Sequence, residues 1–344
     1  MIAYFIQIHG KFEHFEWLFS LLYSEENYYF ISADAEPEQV ERLRASITAG
    51  RSNVVVVESA PVVWGGMSVV TSILRGISLA LEQPGWSHFV NLSGSDVPLR
   101  SQGEIRNHLL AWQERHFDSF VGYFGSRAPD WSCDRDEATA ELREELAAFP
   151  AVVAAGDLAA ALRDNDRSPV MRWYRRPAVY AEENILERRL RLRWLTPQEL
   201  TVRRALFERH LRSYRGGRQW FVFSRPLCEW IADSERTALL AELLRNTLIP
   251  DEAFFQTLLE FAPAALKARI HPNNLRFRNG DPIQLTDDAL PFVRDSDALF
   301  ARKFTMWRSE RIRALFAERA AGLKSAAAAC AGAPPEEPSK AGTG

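Results

Sequence analysis

One turn in the first third of the chain places a single acid where a predicted strand ends. The residues are His88–Leu99, HFVNLSGSDVPL, and Phe89, Val90 and Leu92 predict a buried strand that stops at Ser-Gly-Ser. A proline two positions after Asp96 restricts the backbone before it to extended conformations. In open α/β sheets, ligands bind beyond the carboxyl ends of the strands. Asp96 is therefore a candidate for chemistry on a bound ligand, although an ordinary strand-to-helix turn fits the same residues.

A second acid stands at the start of a predicted helix. Pro250-Asp251-Glu252 opens the helical pattern of Pro250–Phe261, and proline is favoured in a first helical turn. The helix dipole stabilises an ionised carboxylate there, and a general base must be ionised. Glu252 is thus a second candidate base. The simpler interpretation is a surface acid that only complements the dipole.

Composition bounds the class of protein. The chain has 344 residues, of which 47% are hydrophobic and 25% charged, as is ordinary for a soluble globular protein. A net charge of −3 argues against a dedicated nucleic-acid coat. Cys133, Cys228 and Cys330 are scattered, which predicts a reducing compartment and no disulfide framework.

No apolar run approaches the roughly 20 residues that cross a bilayer. Ile2–Ile8 predicts a strand and lacks the features of a signal peptide, so we expect an intracellular protein.

Strand-like and helix-like segments alternate from the N-terminus. Apolar segments predict strands at Ile2–Ile8, Tyr28–Ile31, Val54–Val57 and within His88–Leu99. Between them, apolar residues recur at helical spacing from Phe12 to Leu22, from Val40 to Ile47 and from Val69 to Leu81. This alternation is typical of a mostly parallel sheet with helices on both faces. We therefore predict an α/β fold.

The pattern changes after residue 127. A stretch from Arg163 to Arg218 is rich in arginine and contains no lysine, and we interpret region 127–215 as a helical insertion or subdomain. Elements predicted in this half are helices at Asp134–Phe149, Glu235–Leu244, Pro250–Phe261 and Arg308–Ala320, a strand at Trp220–Phe223 and extended residues at Asn274–Phe277. Residues 1–321 are predicted to form one domain. Residues 322–344, rich in Ala, Gly, Pro and Ser, are predicted to be a disordered tail.

Six blocks of the sequence, in a fixed order, carry a family resemblance. They are Tyr28–Asp34 (YYFISAD), Val63–Ser68 (VWGGMS), His88–Leu99, Gly217–Phe221 (GRQWF), Pro250–Thr257 (PDEAFFQT) and Leu299–Phe304 (LFARKF). Together they resemble the core-2/I-branching β-1,6-N-acetylglucosaminyltransferases and the peptide O-xylosyltransferases (glycosyltransferase family 14), and xylosyltransferase-like and bacterial members are the more similar. The resemblance implies a GT-A-like fold with a Rossmann-like half that binds the nucleotide sugar. It also implies inverting, metal-independent transfer from a UDP-sugar to a hydroxyl of a glycan or protein.

The resemblance implies which residues act as the base and which bind the diphosphate. Glu252 matches the catalytic base, and Lys303 matches the lysine that binds the UDP diphosphate in place of a metal. Asp96 is the rival base, because a single displacement needs only one. The resemblance also implies a second basic residue at the diphosphate, but the corresponding stretch 281–290 has no arginine or lysine. Arg302 or Arg276 would therefore have to supply that second positive charge.

Further residues are expected around the two substrates. Donor contacts are expected from His9, Asp34, Trp64, Gly65, Ser93, Arg302 and Lys303, and sugar or acceptor contacts from Trp220, Arg218 and Asp251. Several have structural alternatives, since Asp34 could cap the following helix and either tryptophan could fill the core. No metal or other cofactor is expected, because the triplets Asp134–Asp136, Asp164–Asp166 and Asp295–Asp297 follow no convincing strand.

Three functions fit the sequence. The leading one is a glycosyltransferase that moves GlcNAc or xylose, and the second is a catalytically silent protein of the same fold that binds a nucleotide sugar or glycan. The third is nucleic-acid binding through the arginine-rich stretch. We favour a solvated face in which those arginines pair with Glu182, Glu183, Glu187 and Glu199, so no nucleic-acid partner is expected. We expect a cytoplasmic protein with peripheral contact at the inner face of the membrane. The sequence leaves the oligomeric state open.

Overall fold

The computed structural model describes residues 1–58, 60–126, 128–129, 131, 173–278, 285–304 and 310–317. Its strands are β1 (Ile2–Ile8), β2 (Tyr28–Ala33), β3 (Val54–Glu58), β4 (His88–Ser93), β5 (Val97–Pro98), β6 (Ser119–Ser126), β7 (Val179–Asn184), β8 (Arg189–Trp194), β9 (Arg215–Ser224), β10 (Ile270–His271), β11 (Arg276–Arg278) and β12 (Phe300–Arg302). Seven of them form the central sheet, in the order β10-β6-β9-β4-β1-β2-β3.

The central sheet is mostly parallel. Strand β1 lies between β2 and β4 and is parallel to both, and β2 is parallel to β3. Strand β9 is the exception, because it runs antiparallel to its neighbours β4 and β6. The carboxyl ends of β1, β2, β3 and β4 therefore meet at one edge. The prediction of a mostly parallel α/β sheet is confirmed.

Helices cover both faces of this sheet. They are α1 (Phe12–Leu22), α2 (Pro37–Thr48), α3 (Met67–Leu81), α4 (Gln102–Glu114), α5 (Pro197–His210), α6 (Arg225–Asp233), α7 (Glu235–Leu244), α8 (Phe254–Leu258), α9 (Ala264–Lys267) and α10 (Leu290–Asp295), and residues 310–317 are also helical. One core joins α3, α6, α7 and α8 to side chains such as Phe5 and Phe89. The other joins α1, α2 and α4 to Tyr4, Ile6 and Val90. Alternate residues of β1 and β4 thus fill opposite cores, as strand geometry requires.

Two smaller strand groups flank the central sheet. Strand β12 lies between β11, to which it is parallel, and β5, to which it is antiparallel. Strands β7 and β8 form a separate antiparallel hairpin. Across the described residues, every helix is too short or too polar to traverse a bilayer.

The second half of the chain departs from the sequence-based expectations. Helix α6 was not predicted, and the arginine-rich stretch contains the β7–β8 hairpin as well as helix α5. The single helix predicted over Pro250–Phe261 is interrupted at Ala253, whose φ of −139° and ψ of −29° are not helical. The segment consists of a 3-10 turn (Pro250–Glu252), α8 and a second 3-10 turn (Leu259–Phe261). The helix predicted at Asp134–Phe149 and the predicted tail lie outside the described residues. The division into domains stays a prediction.

Candidate active site

Two of the family-like blocks meet at the small sheet. Strand β12, with Arg302 at its end, pairs with β5, which directly follows the turn of Asp96. The Phe304 amide donates a hydrogen bond of 2.9 Å to the carbonyl oxygen of Ser95. The turn after β4 and the basic end of β12 therefore form one structural unit.

Asp96 is entirely enclosed in this unit. Its Oδ2 accepts hydrogen bonds from the Ser93 amide (2.7 Å) and hydroxyl (2.6 Å), and its Oδ1 lies 3.6 Å from Arg276 Nε. Neither Asp96 nor Arg276 exposes any side-chain surface (0%). A carboxylate in this position neutralises a buried arginine and fixes a turn, but it offers no surface to an acceptor hydroxyl. This geometry favours Glu252 over Asp96 as the base.

Arg276 is the buried partner of Asp96. It also donates hydrogen bonds to the carbonyl oxygens of Asn91 (2.7 Å) and Asn274 (3.1 Å), and its guanidinium carbon lies 4.5 Å from the centroid of the Phe300 ring. Burial lowers the pKa of Arg276 to about 10, and the Asp96 charge acts in the opposite direction. Arg276 is therefore still a cation at neutral pH. It places positive charge behind the carboxyl end of β4.

Arg302 stacks on Trp220. Its guanidinium carbon lies 3.9 Å from the ring centroid, and both side chains are buried. Burial lowers the pKa of Arg302, Asp96 and Glu252 raise it, and Arg218 lowers it further. Both candidate acids and Arg218 therefore lie close enough to Arg302 to interact with it electrostatically. The ring of Trp220, which we expected either in the core or against a sugar, is covered by Arg302 on one face.

Glu252 lies in a 3-10 turn and not in the first turn of an α-helix. The helix-dipole argument for its ionised state is therefore wrong. Glu252 has a buried cationic partner instead, since Arg176 Nη1 donates a hydrogen bond of 2.9 Å to Glu252 Oε2. The Arg176 side chain is 6% exposed and that of Glu252 is 25% exposed. Glu252 is thus paired through one carboxylate oxygen and still partly accessible to solvent.

Asp251 points into the protein beside Glu252. Burial and, second, the Glu252 charge raise the pKa of Asp251 to about 7, while Arg176 opposes the shift. Its Oδ1 has no hydrogen-bond partner in the described part of the chain. Asp251 was expected to contact the acceptor, but its residue surface is only 7% exposed. In this structure it is a buried carboxyl group behind the accessible one.

Side chains of α8 hold the Glu252 turn against β9. Gln256 Nε2 donates to the Arg218 carbonyl oxygen (2.8 Å), and the Thr257 hydroxyl donates to the Arg215 carbonyl oxygen (3.2 Å). Strand β9 approaches β6 so closely that a Cβ on Gly217 would lie 2.1 Å from the carbonyl oxygen of Gly122. The GRQWF and PDEAFFQT blocks are therefore adjacent because one supplies backbone acceptors to the other.

Asp34 lies at the carboxyl end of β2, as expected for a nucleoside contact. Its Oδ2 accepts a hydrogen bond of 3.1 Å from the Val62 amide, and its Oδ1 lies 2.9 Å from Arg188 Nη1. The residue that caps α2 is Glu36, so the alternative role of Asp34 as a helix cap is wrong. The neighbouring strand β1 is tied to it, because the Asp34 amide donates to the carbonyl oxygen of Ile8 (2.9 Å).

The Trp64 loop lies on the same side of the sheet. Trp64 is 66% exposed, which excludes the alternative that it fills the core. Gly65 has a φ of +76°, and a Cβ there would lie 3.2 Å from Leu190 and 3.3 Å from Ile249. His9 is exposed where β1 ends. The loop thus presents one flat aromatic ring to solvent near the strand ends.

Lys303 is exposed directly beyond Arg302. Its carbonyl oxygen accepts a hydrogen bond of 2.8 Å from the Leu285 amide, which fixes the backbone while the side chain faces solvent. Within the described residues, no three His, Cys, Asp or Glu side chains converge as metal ligands. The Asp295–Asp297 triplet begins at the last residue of helix α10, and the other two triplets lie outside the described residues.

Sequence reasoning missed two arginines of the site, Arg176 and Arg188. The arginine density of the stretch from Arg163 to Arg218 was the only signal, and it does not separate these residues from exposed neighbours. Pairing with Glu187 and Glu199 was expected and is found for exposed arginines such as Arg193. Arg176 instead pairs with Glu252 in the interior, which periodicity could not indicate.

Curated relatives of this chain are xylosyltransferases. Human xylosyltransferase 2 is 26% identical over 284 residues, which cover 81% of this chain, and mouse xylosyltransferase 1 is 24% identical over 284 residues, again 81% of this chain. The chain spans about a quarter of the length of these relatives (26% and 24%). A crystal structure of mouse xyloside xylosyltransferase 1 without ligand aligns over 88% of this chain and 97% of its own, with 10% identity and a TM-score of 0.37, which supports no argument about the fold.

A family model matches most of the described chain. The model of the Core-2/I-branching enzymes matches residues 2–133 and 178–281, more than half of the sequence. The gap between the two matches falls within region 127–215, the predicted insertion or subdomain. The matched residues include the strand ends of the candidate site, Asp96 and Glu252. The chain therefore belongs to the Core-2/I-branching enzyme family, a family of glycosyltransferases.

Proposed function

We propose that this protein is an inverting glycosyltransferase that moves a sugar from UDP to a hydroxyl group without a metal ion. The observation that carries the proposal is the grouping of Glu252 with Arg302, Arg276 and Lys303 beside Trp220 at one edge of the sheet. The accessible carboxylate supplies a base, and the cations supply charge for a departing diphosphate. Family membership supports the same reaction class.

Glu252 is the proposed base. Its carboxylate accepts the proton of the acceptor hydroxyl while the acceptor oxygen forms a bond to the anomeric carbon of the donor. The bond between that carbon and the phosphate oxygen breaks, and UDP leaves with the electron pair. One displacement inverts the configuration at the anomeric carbon. Asp96 is assigned to holding Arg276, because its side chain is fully buried.

The leaving UDP is the second task of the site. Arg302 and Lys303 are consecutive at the end of β12, and the stacked ring of Trp220 restricts the Arg302 guanidinium. Preorganised cations stabilise charge that develops on a leaving group. We assign Lys303 to direct contact with the diphosphate, since its side chain is exposed. Arg302 is assigned to electrostatic stabilisation of the diphosphate without direct contact. Asp34, Trp64 and His9 are assigned to the nucleoside at the ends of β1 and β2.

The donor is proposed to be UDP-xylose or UDP-GlcNAc, and the acceptor a glycan or protein hydroxyl. The names of the curated relatives favour xylose. The second candidate function is a binding protein of the same fold that has lost turnover. The buried state of Asp96 is compatible with that candidate, but the accessible and paired Glu252 favours an enzyme.

Release of UDP from a panel of UDP-sugars, with and without EDTA, tests the proposal. We expect release that persists in EDTA, is stimulated by an acceptor, and is lost in Glu252→Gln but kept in Glu208→Gln, an exposed acid on α5. Turnover that vanished in EDTA and returned with manganese would contradict the metal-independent mechanism. Calorimetric binding of UDP without turnover by any donor and acceptor would favour the binding protein.

A further inference from the structure

A buried arginine from the stretch that the family model does not match reaches the candidate base. Arg176 lies in the gap between the two matched segments, which end at residue 133 and resume at residue 178. Its side chain is 6% exposed, and Nη1 donates a hydrogen bond of 2.9 Å to Glu252 Oε2. A contact from an unmatched segment to the most accessible acid of the site calls for a physical explanation.

The position of Arg176 is fixed by its neighbours in sequence. Arg203 on α5 donates hydrogen bonds to the carbonyl oxygens of Pro177 (2.9 Å) and Val179 (3.0 Å), which hold the 3-10 turn Arg176–Ala178. Ahead of that turn, the Trp173 ring lies directly on β9, where a Cβ on Gly216 would come within 2.3 Å of it. These two contacts fix the backbone on both sides of Arg176.

The surroundings of the pair are charged but enclosed. Tyr214 is buried beside Trp173, with ring centroids 5.5 Å apart. Burial raises the pKa of the Tyr214 hydroxyl, while the Arg176 charge lowers that pKa and the Glu252 charge raises it. Asp251 faces the same two charges. In the described residues, no hydrogen bond to the other oxygen of Glu252, Oε1, is present, whereas Oε2 is taken by Arg176. The pair thus leaves one defined oxygen to meet a substrate.

We propose that Arg176 is a positioning residue for Glu252. It holds Oε2 through the hydrogen bond of 2.9 Å, so that Oε1 faces the acceptor hydroxyl. This inference rests on the proposed function of Glu252 as the base. Because Arg176 contacts the base and not the donor, its loss alters the transfer step and leaves donor binding intact.

Kinetics of Arg176→Ala, Arg176→Lys and the control Arg204→Ala test this role. Misplacement of a catalytic group by about 1 Å costs on the order of 100-fold in rate. We expect Arg176→Ala to lose about that factor in kcat with an unchanged donor KM and an unchanged Kd for UDP by calorimetry. Arg176→Lys restores part of the loss, because an ammonium can still hold Oε2. Arg204→Ala, which removes an exposed pair with Glu208 on α5, keeps wild-type kinetics.

Several outcomes would overturn the inference. Wild-type kcat in Arg176→Ala would show that the pair does not position the base, and a raised donor KM at constant kcat would place Arg176 on the donor. If Lys rescued nothing while both variants kept the wild-type circular dichroism and UDP affinity, a positioning role through charge would be excluded. Wild-type protein that turned over no UDP-sugar would instead defeat the proposed function, and this inference with it.

Discussion

The guanidinium of Arg302 lies 3.9 Å from the ring centroid of Trp220, and this contact joins the two halves of the site. Trp220 belongs to β9 of the central sheet, while Arg302 ends β12 of the small sheet beside the Asp96 turn. A cation on an aromatic face is most stabilised when both are removed from water. The stack therefore fixes the basic end of β12 relative to the strand that packs on the Glu252 turn.

Lys303→Ala should weaken UDP binding without affecting the fold. The side chain is exposed, and a hydrogen bond to a charged group contributes about 1.5–3 kcal/mol. We expect the Kd for UDP to rise by about tenfold or more. Lys267→Ala, which removes an exposed pair with Glu260, is the matched control and should bind UDP as the wild type does. Equal affinities of the two variants in calorimetry would rule out a diphosphate contact by Lys303.

Asp96→Asn should destabilise the protein strongly, even though the two side chains have almost the same size and shape. The substitution leaves the fully buried guanidinium of Arg276 without a counter-charge. Breaking one side of a buried ion pair costs about 3–5 kcal/mol. Urea unfolding should show a loss of that size, and Asp96→Asn with Arg276→Met should lose less than Asp96→Asn alone. A loss below about 1 kcal/mol would mean that the pair is not buried as described.

Gly217→Ala and Gly103→Ala should have opposite effects on stability. A Cβ on Gly217 meets the backbone carbonyl of Gly122 at 2.1 Å, so β6 and β9 must separate. A Cβ on Gly103, in α4, meets nothing within 4 Å, and alanine in a helix is favoured over glycine by about 1 kcal/mol. We expect Gly217→Ala to lower the midpoint of thermal unfolding and Gly103→Ala to raise or preserve it. Similar midpoints for the two variants would contradict the close approach of β6 and β9.

The unfolding free energy should fall as the pH drops from about 6.5 to about 4, in part through His88. Burial lowers the pKa of His88 to about 4, against the Asp118 charge, whereas the unfolded side chain titrates near 6.5. Between these values the unfolded state binds the proton and the folded state does not. The contribution is at most about 1.4 kcal/mol per pH unit. Urea unfolding of His88→Gln across this range should give a shallower slope, and identical slopes would exclude His88 as the cause.

The sheet was predictable from the sequence because the strands of the first hundred residues are short apolar segments, and the helices between them repeat apolar residues at helical spacing. Because β1, β2 and β4 are parallel, the residues at their carboxyl ends (His9, Asp34 and Ser93) were expected at one edge of the sheet. The identity of the base was less predictable. Asp96 and Glu252 look equivalent as sequence, and only burial separates the enclosed carboxylate from the accessible one.

The partners of those acids were not predictable. Arg276 and Arg176 reach their carboxylates through contacts distant in the chain, and no local periodicity encodes such pairing. The 3-10 turn at Glu252 was missed for a related reason. Pro250 is compatible with any helical start, and Ala253, a residue that favours helix, adopts a non-helical φ of −139°.

The rate of UDP release by Glu252→Gln tests the central claim most directly. A general base contributes about 10²–10⁴-fold to a rate. With saturating donor and acceptor, we predict a fall in kcat of at least about 100-fold, while the Kd for UDP stays at the wild-type value and shows that the site is still folded. Wild-type turnover by Glu252→Gln, at wild-type UDP affinity, would contradict the assignment of Glu252 as the base of a sugar transfer.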